Sequence, residues 1–524
     1  MVRSPHIPRR PSRITAGLAG VLAALAGLAA AELVAGLSRR LRSPVLDVGD
    51  RVVDSVPSGV KQLAIDWFGT NDKKALLAGI GVLLAVYAVG VGIAWLRHDR
   101  RLGMAGVAAF GIAGSVAALS SRVEVPWWSV APSVVGAVVA GVVLEVFTTI
   151  QRRRPAASPT PGRPAAMELP SSRRRFLVAA AAVAAGAAVM AAGGRRLASR
   201  FGAADSRRAV VLPPPARKLA RIPADASSAG ATPFFTPNGS FYRIDTALTV
   251  PQVPAESWSL VVDGMVDQPL ELSYGDLLAR PLVESDITLT CVSNEVGGDL
   301  VGNARWLGAR LDGLLDEAGV DPGADQVVGR SVDGYTCGFP VAVLDGRDAL
   351  VAVAMNGEPL PLAHGFPARL VVPGLYGYVS ATKWLTQIEL TRFDRFDQYW
   401  VPRGWDARAP IKTQSRIDTP RGLARVPAGV VPVAGVAWAQ TRGIRAVQVR
   451  VDDGPWLEAR LATEVNDTTW RQWDLAWEAT PGRHTLTVRA TDGTGAIQTA
   501  ERSEPMPNGA TGQHQIVVLV DEAP

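Results

Sequence analysis

The fold turns on one stretch, Asp286-Ile-Thr-Leu-Thr-Cys291-Val-Ser-Asn294-Glu-Val-Gly-Gly-Asp-Leu-Val-Gly-Asn-Ala-Arg-Trp-Leu-Gly-Ala-Arg-Leu311. Its first residues are β-branched and apolar, so they predict a strand, and Ser, Asn and paired Gly then stop it just after Cys291. A thiol at a strand end is a candidate soft ligand or nucleophile. No histidine stands nearby in sequence to act as its base, and a tetrahedral zinc site needs more Cys or His than this neighbourhood holds. What remains is a metal whose other ligands come from a cofactor.

Cys291 with Asn294, followed by Ala304-Arg-Trp-Leu-Gly-Ala-Arg-Leu311, resembles the molybdenum domain of the sulfite oxidase family. Met355-Asn-Gly-Glu-Pro-Leu-Pro-Leu-Ala-His364-Gly-Phe-Pro-Ala-Arg369 is similar to that family's M-N-G-x-P-L-P-x-x-H-G-F-P-x-R pattern, and Lys383-Trp384-Leu385 to its K-W-L. The resemblance implies a molybdenum-molybdopterin cofactor, with molybdenum bound by the Cys291 thiolate beside a pyranopterin dithiolene. It implies that His364 and Arg369 grip the anionic end of the cofactor, with Lys383 behind them. A surface cation–π pair is the plain alternative for Lys383-Trp384. Asn238, Phe241 and Tyr242 look like the family's pterin-contacting loop, against a turn followed by a core aromatic pair. Tyr399 falls near the family's active-site tyrosine, and Gln414-Ser415 resembles a Q-S segment that lines the pocket.

Two alternatives stay open around the cysteine. The chain has only two cysteines, so a Cys291–Cys337 disulfide competes with the ligand reading in an oxidising compartment. Sulfite oxidases of animals and plants continue from the cysteine as C-A-G-N-R-R, whereas this chain has Cys291-Val-Ser-Asn-Glu295-Val296. A carboxylate facing the pocket opposes a dianionic substrate, so the sequence predicts that a sulfoxide is turned over more efficiently than sulfite is oxidised, unless Arg243 or Arg403 restores the charge.

At 524 residues the length suggests about three domains, and a mean hydropathy of +0.15 places part of the chain in lipid. Ile14 to Leu37, Ala75 to Leu96, Leu102 to Ser120 and Pro132 to Ile150 are each long and apolar enough to span a bilayer. Glu32 and Glu145 lie near span ends and read as interfacial, with a proton or quinone role as the rival. An Arg-rich linker follows, and then Ser172-Arg173-Arg174-Arg175-Phe176-Leu177, which fits the twin-arginine export pattern ahead of an Ala-rich fifth span to Ala192. That route carries folded proteins, which suits a domain built around a cytoplasmically made cofactor. A plain stop-anchor gives the same topology, with the later residues outside the cytoplasm.

Residues 1–220 hold 29 Lys+Arg against 11 Asp+Glu, and the rest 25 against 37, so the basic pI near 9.5 belongs to the membrane part. An acidic soluble half argues against nucleic acid as partner. The chain thus reads as a multi-domain protein: a four-helix transmembrane region over 1–150, a linker with the fifth segment over 151–200, and a Pro-rich tether over 201–230. An α+β molybdopterin-binding domain over 231–396 has no G-x-G-x-x-G to support a Rossmann reading. Alternating strands over 397–524 read as a β-sandwich, similar to the family's immunoglobulin-like dimerisation domain and so implying a homodimer.

With five histidines, none inside a span, and no C-x-x-C-H, the sequence predicts no haem in this chain. The expected partners are a small oxo-substrate and a separate cytochrome or quinone system. A rival from another class is a non-enzymatic surface protein that keeps the fold and has lost the site.

Overall fold

A computed structural model describes residues 11–56, 67, 72–152 and 171–522; the Arg-rich linker at 153–170 lies outside the described residues. The chain divides into two compact units, Met1–Gly202 with Thr246–Thr249, and Ala203–Asp245 with Val250–Pro524.

Among the described residues of the first unit five helices are long and apolar enough to cross a membrane. The central one, Arg13–Ala35, is rich in Ala and Gly and packs against Asp72–Ile93, Ala131–Arg152 and Ser171–Ser199. Small residues let helix backbones approach closely: a Cβ on Gly27 would lie 2.5 Å from Gly136 O, and one on Gly136 would lie 2.9 Å from Gly27 O. The twin-arginine-like motif falls within the first turns of helix Ser171–Ser199. Sequence periodicity missed a further helix, Pro44–Ser55, whose mixed faces do not resemble a span. Glu145 pairs with Arg100 at 3.1 Å, and Glu32 accepts from the Ser43 hydroxyl, so both carboxylates have local partners. A π turn, Ala94–His98, brings His98 to the end of the second apolar run, which corrects the expectation that no histidine lies in a span. The segment Thr246–Thr249 belongs to this unit: Arg122 Nη1 donates to Thr246 Oγ1 at 2.9 Å and Lys73 Nζ to Ala247 O at 2.7 Å.

Among the described residues the second unit holds four sheets. One sheet runs from edge strand Leu282–Thr290 through Val301–Arg310 to Leu350–Met355, which pairs with both Glu358–Pro359 and Arg369–Val371. A second is ordered Leu270–Ser273, Ser259–Gly264, Leu385–Thr391, Gln326–Ser331, Thr336–Pro340. These sheets share one core with helix Leu311–Ala318, which Gly319 ends at φ 68°, as its left-handed C-terminal position requires. The third part is two antiparallel-rich sheets packed face to face. Strands Gly429–Trp438 and Arg471–Ala479 carry one face, Ile444–Val451, Gly482–Asp492 and His514–Asp521 the other, and Trp473, Val433, Val449 and Val488 lie buried between them.

Two boundaries move. The Pro-rich segment read as a tether is bound to the catalytic sheet: Ala216 N–H donates to Leu282 O at 2.7 Å and Glu284 N–H to Arg217 O at 2.9 Å. Extended Pro-rich backbone makes no hydrogen bonds of its own, so an edge strand is a ready partner for the residues after Pro215. At the other end, Ala409 and Ile411 are buried in the catalytic core, and the sandwich begins at strand Gln414–Thr419 rather than at Asp397.

Glycines separate tight from free positions. A Cβ at Gly308 would collide with Val351 O and lie 2.7 Å from Ala352 Cα, whereas exposed Gly313 meets nothing within 4 Å. Gly308→Ala is expected to lower stability by about 1–3 kcal/mol and Gly313→Ala to raise it by about 0.5–1 kcal/mol, read by thermal unfolding of the full chain.

Candidate active site

The strand Leu282–Thr290 delivers Cys291 into the interior, where its side chain is 7 % exposed. Cys291 N–H donates to Leu300 O at 2.9 Å and Asn294 Oδ1 accepts from Leu300 N–H at 2.8 Å, so the loop after the strand is closed at its neck. Burial pushes the Cys291 thiol up, while the Ser293 amide and hydroxyl donate toward its sulfur and the Lys383 charge acts the other way. The donors and the cation offset part of the burial, which remains the largest effect and keeps the thiol above its ordinary value. Cys337 is separate: both cysteines are free and buried, and Cys337 Sγ accepts from Thr382 Oγ1 at 2.8 Å, which removes the disulfide reading.

A group of cations lies on one side of this thiol. Arg369 opens a short strand behind Gly365, is 5 % exposed, and has its guanidinium 5.1 Å over the Trp306 ring. It donates to His364 O at 3.2 Å, and among the described residues it has no carboxylate within ion-pair distance. Burial lowers its pKa to about 10. Lys383 Nζ meets Asp245 at 2.9 Å, and Asp245 also takes Arg243 Nε at 2.8 Å. Burial draws Lys383 down to about 8 although Asp245 opposes this. Trp384 adopts φ 50°, a left-handed conformation that a bulky residue adopts only when its surroundings hold it there. Lys383 therefore lies 4.9 Å over the Trp384 ring in a buried pair, not the surface pair considered from sequence.

His364 is 5 % exposed and donates Nε2–H to Asn238 O at 3.1 Å. Its pKa falls to about 4, first by burial and then by Arg369, Lys383 and Arg243. The set is three cations, of which Asp245 pairs with Lys383 and Arg243 but not with Arg369, and that surplus of positive charge suits a polyanion such as a phosphate. Asn238 Nδ2 donates to Glu358 at 2.7 Å and to Met355 O at 3.2 Å, while its Oδ1 accepts from Asn356 Nδ2 at 2.9 Å. Phe241 stacks on Tyr242 at 5.2 Å and meets His364 edge-on at 5.6 Å, so the aromatic pair is part of the core and borders the cations at once.

Burial raises the pKa of Tyr242, Tyr335 and Tyr376, the last to about 12, and Cys291 adds to this in all three, behind Cys337 at Tyr335. Tyr399 lies beside Tyr335 at 5.6 Å, with the Arg403 guanidinium 3.7 Å over its ring. Tyr335, Tyr376, Ser293 and Asp245 were missed in the sequence, where nothing marks them apart from core or turn residues. Thr290 Oγ1, next to the cysteine, is buried and has no hydrogen-bond partner among the described residues. Two expectations fail. Glu295 is exposed on the turn after Asn294 and is not among the groups acting on Cys291, because the chain leaves the interior there. Gln414 and Ser415 do not line the pocket: Gln414 Nε2 donates to Ala510 O at 2.8 Å and Ser415 Oγ to Gln498 at 2.6 Å.

The neutral, buried His364 gives a pH signature. The unfolded chain binds a proton near pH 6.5 that the folded imidazole takes up only near 4, so stability is full above 6.5 and lost as pH falls through that window. His514 is lowered in the same way to about 4 and contributes a similar limb. In cofactor-free protein His364→Gln is expected to remove about 3 kcal/mol of the acid-side loss, close to half, measured by thermal unfolding between pH 4 and 7.

Residues 247–400 match the family model described as the oxidoreductase molybdopterin binding domain. Human mitochondrial sulfite oxidase is 29 % identical over 303 residues, 49 % of this chain and 55 % of that one. Sulfite oxidase of Arabidopsis thaliana is 30 % identical over 287 residues, 45 % of this chain and 72 % of that one. An uncharacterized oxidoreductase of Bacillus subtilis, YuiH, is 37 % identical over 151 residues, 29 % of this chain and 73 % of its own length. The chain spans only about half the length of the animal sulfite oxidases it matches. A strand-end cysteine, a buried cation group and these relatives agree, and the chain belongs to the sulfite oxidase family of molybdopterin-binding oxidoreductases.

Proposed function

We propose that the protein is a membrane-anchored molybdenum-cofactor enzyme that carries out sulfite-oxidase-like oxygen-atom transfer on a small sulfur oxyanion, with its catalytic half outside the cytoplasm. The observation that carries this reading is the Arg369 guanidinium, buried without an ion-pair partner among the described residues and acting with Lys383 and Arg243 on His364, while the Lys383 charge also acts on the Cys291 thiol. An anionic pterin phosphate balances those charges, and the orphaned Thr290 hydroxyl leaves a donor for a bound group.

When bound, the cofactor supplies two-electron oxygen-atom transfer. Cys291 holds its metal, with Ser293 donating to the sulfur and so stabilising thiolate. His364, Arg369 and Lys383 grip the anionic end, and Asn238, Phe241 and Tyr242 border the pterin. Tyr399 orients the substrate at the mouth, where Arg403 supplies positive charge. A separate cytochrome or quinone system takes the electrons. The sulfoxide alternative rested on Glu295, and that side chain is exposed, so sulfite leads.

The membrane reading follows from alternation of the five apolar helices, which puts Arg13, Arg97, Arg100, Arg152 and the Arg173–Arg175 run at ends on one side. That side is cytoplasmic by the positive-inside rule. The sandwich is read as the immunoglobulin-like dimerisation module.

Purified protein is expected to hold about one molybdenum per chain by elemental analysis, and Cys291→Ser to lose oxygen-atom transfer because a hydroxyl does not replace thiolate donation. Full activity in that variant overturns the ligand assignment. Steady-state kcat/KM for sulfite is expected to exceed that for methionine sulfoxide by about tenfold or more, about 1.4 kcal/mol in transition-state terms; the reverse order refutes the substrate reading. Changing Arg173 and Arg174 to Lys is expected to leave the C-terminal half inaccessible to external protease, and an unaltered external domain leaves only the stop-anchor route.

A further inference from the structure

Strand Leu282–Thr290 is the edge of its sheet, and an edge leaves backbone donors and acceptors without sheet partners. Near Cys291 the C-terminal sandwich meets them. Thr288 N–H donates to Thr468 O at 3.0 Å, Gln440 Nε2 donates to Thr288 O at 2.9 Å, and Thr468 Oγ1 donates to Asp286 O at 2.9 Å. Trp470 N–H adds a bond to Thr288 Oγ1 at 2.8 Å.

The grip continues past the cysteine to the far side of its loop. Arg416 is 8 % exposed and donates Nη1 to Gly298 O at 2.9 Å, while Nε holds Asp418 at 2.6 Å and Nη2 holds Thr232 Oγ1 at 2.9 Å. Each nitrogen of the guanidinium thus has its own acceptor, so the fork is fixed on three sides and its bond to Gly298 has one direction. Gly297 adopts φ 80°, and a Cβ there would collide with the His514 imidazole. That ring is itself held, because its Nδ1 accepts from Ile417 N–H at 3.0 Å. The loop from Cys291 to Leu300 is therefore tied at its neck by its own backbone and at its turn by two side chains of the sandwich.

We infer that Arg416 and His514 are positioning residues for the Cys291 loop, so that the sandwich sets the orientation of the thiol as well as any contact between copies of the chain. Neither side chain touches the sulfur; both act through Gly297 and Gly298. The consequence for the metal rests on the reading of Cys291 as its ligand, but the fixing of the loop does not.

The test uses the full chain made in a host unable to synthesise the cofactor. Iodoacetamide labelling of Cys291 is followed by mass spectrometry, with fully buried Cys337 as the internal reference. Arg416→Ala and His514→Ala are expected to speed Cys291 labelling about tenfold, by local opening, and leave Cys337 unchanged. Arg460→Ala, which breaks an exposed ion pair with Asp474 on the same sandwich, is expected to change neither. If Arg416→Ala does not fold, Arg416→Lys is read instead; it keeps one donor and loses the fork, and about threefold is expected. In loaded protein the folded variants are expected to shift the molybdenum(V) paramagnetic resonance signal while metal content holds. Labelling within about twofold of wild type in folded variants, or Cys337 rising in step, overturns the inference. Absence of molybdenum from the wild type as well would refute the proposed function and leave the labelling result standing.

Discussion

A guanidinium removed from water without a carboxylate is a heavy electrostatic load, and Arg369 carries it with carbonyl oxygens and an indole face as its neighbours. Much of the catalytic unit follows from supporting that charge. His364 stays neutral beside it, Lys383 is drawn below its ordinary pKa, and Asp245 holds two of the cations in place without neutralising the third. Trp384 accepts an unfavourable backbone conformation in the same neighbourhood. Charges of one sign held this firmly call for an anion among them, and the proposed pterin phosphate would supply it.

How much of this was legible follows from the range of the interactions. Cys291 at the end of a β-branched strand could be read because strand and stop are written within a few residues, and strand Leu282–Thr290 ends there. His364, Arg369 and Lys383 could be read only as a motif, since their convergence depends on strand pairing far apart in sequence. Asp245 and Tyr335 were invisible for the same reason: each becomes part of the site through neighbours that no local pattern specifies. Glu295 shows the opposite error. It stands near Cys291 in the chain, but the turn closed by Asn294 directs it to solvent.

The prolines at 213–215 argued for a spacer on composition alone, and composition does not register that an unpaired strand edge lies within reach. Once the edge of Leu282–Thr290 exists, Ala216 and Arg217 bind one part of it and the sandwich another. Sandwich strands themselves were readable from alternation and turns. Their role in covering the cysteine strand was not, because it is carried by loop residues Gln440, Asn466 and Thr468.

The four residues Thr246–Thr249 follow directly on Asp245 and yet belong to the unit of apolar helices, held there by Arg122 and Lys73. The chain thus passes in a single step from the carboxylate that pairs with Lys383 and Arg243 to residues bonded to the helical unit, so the two units are joined here by one peptide bond as well as at Gly202.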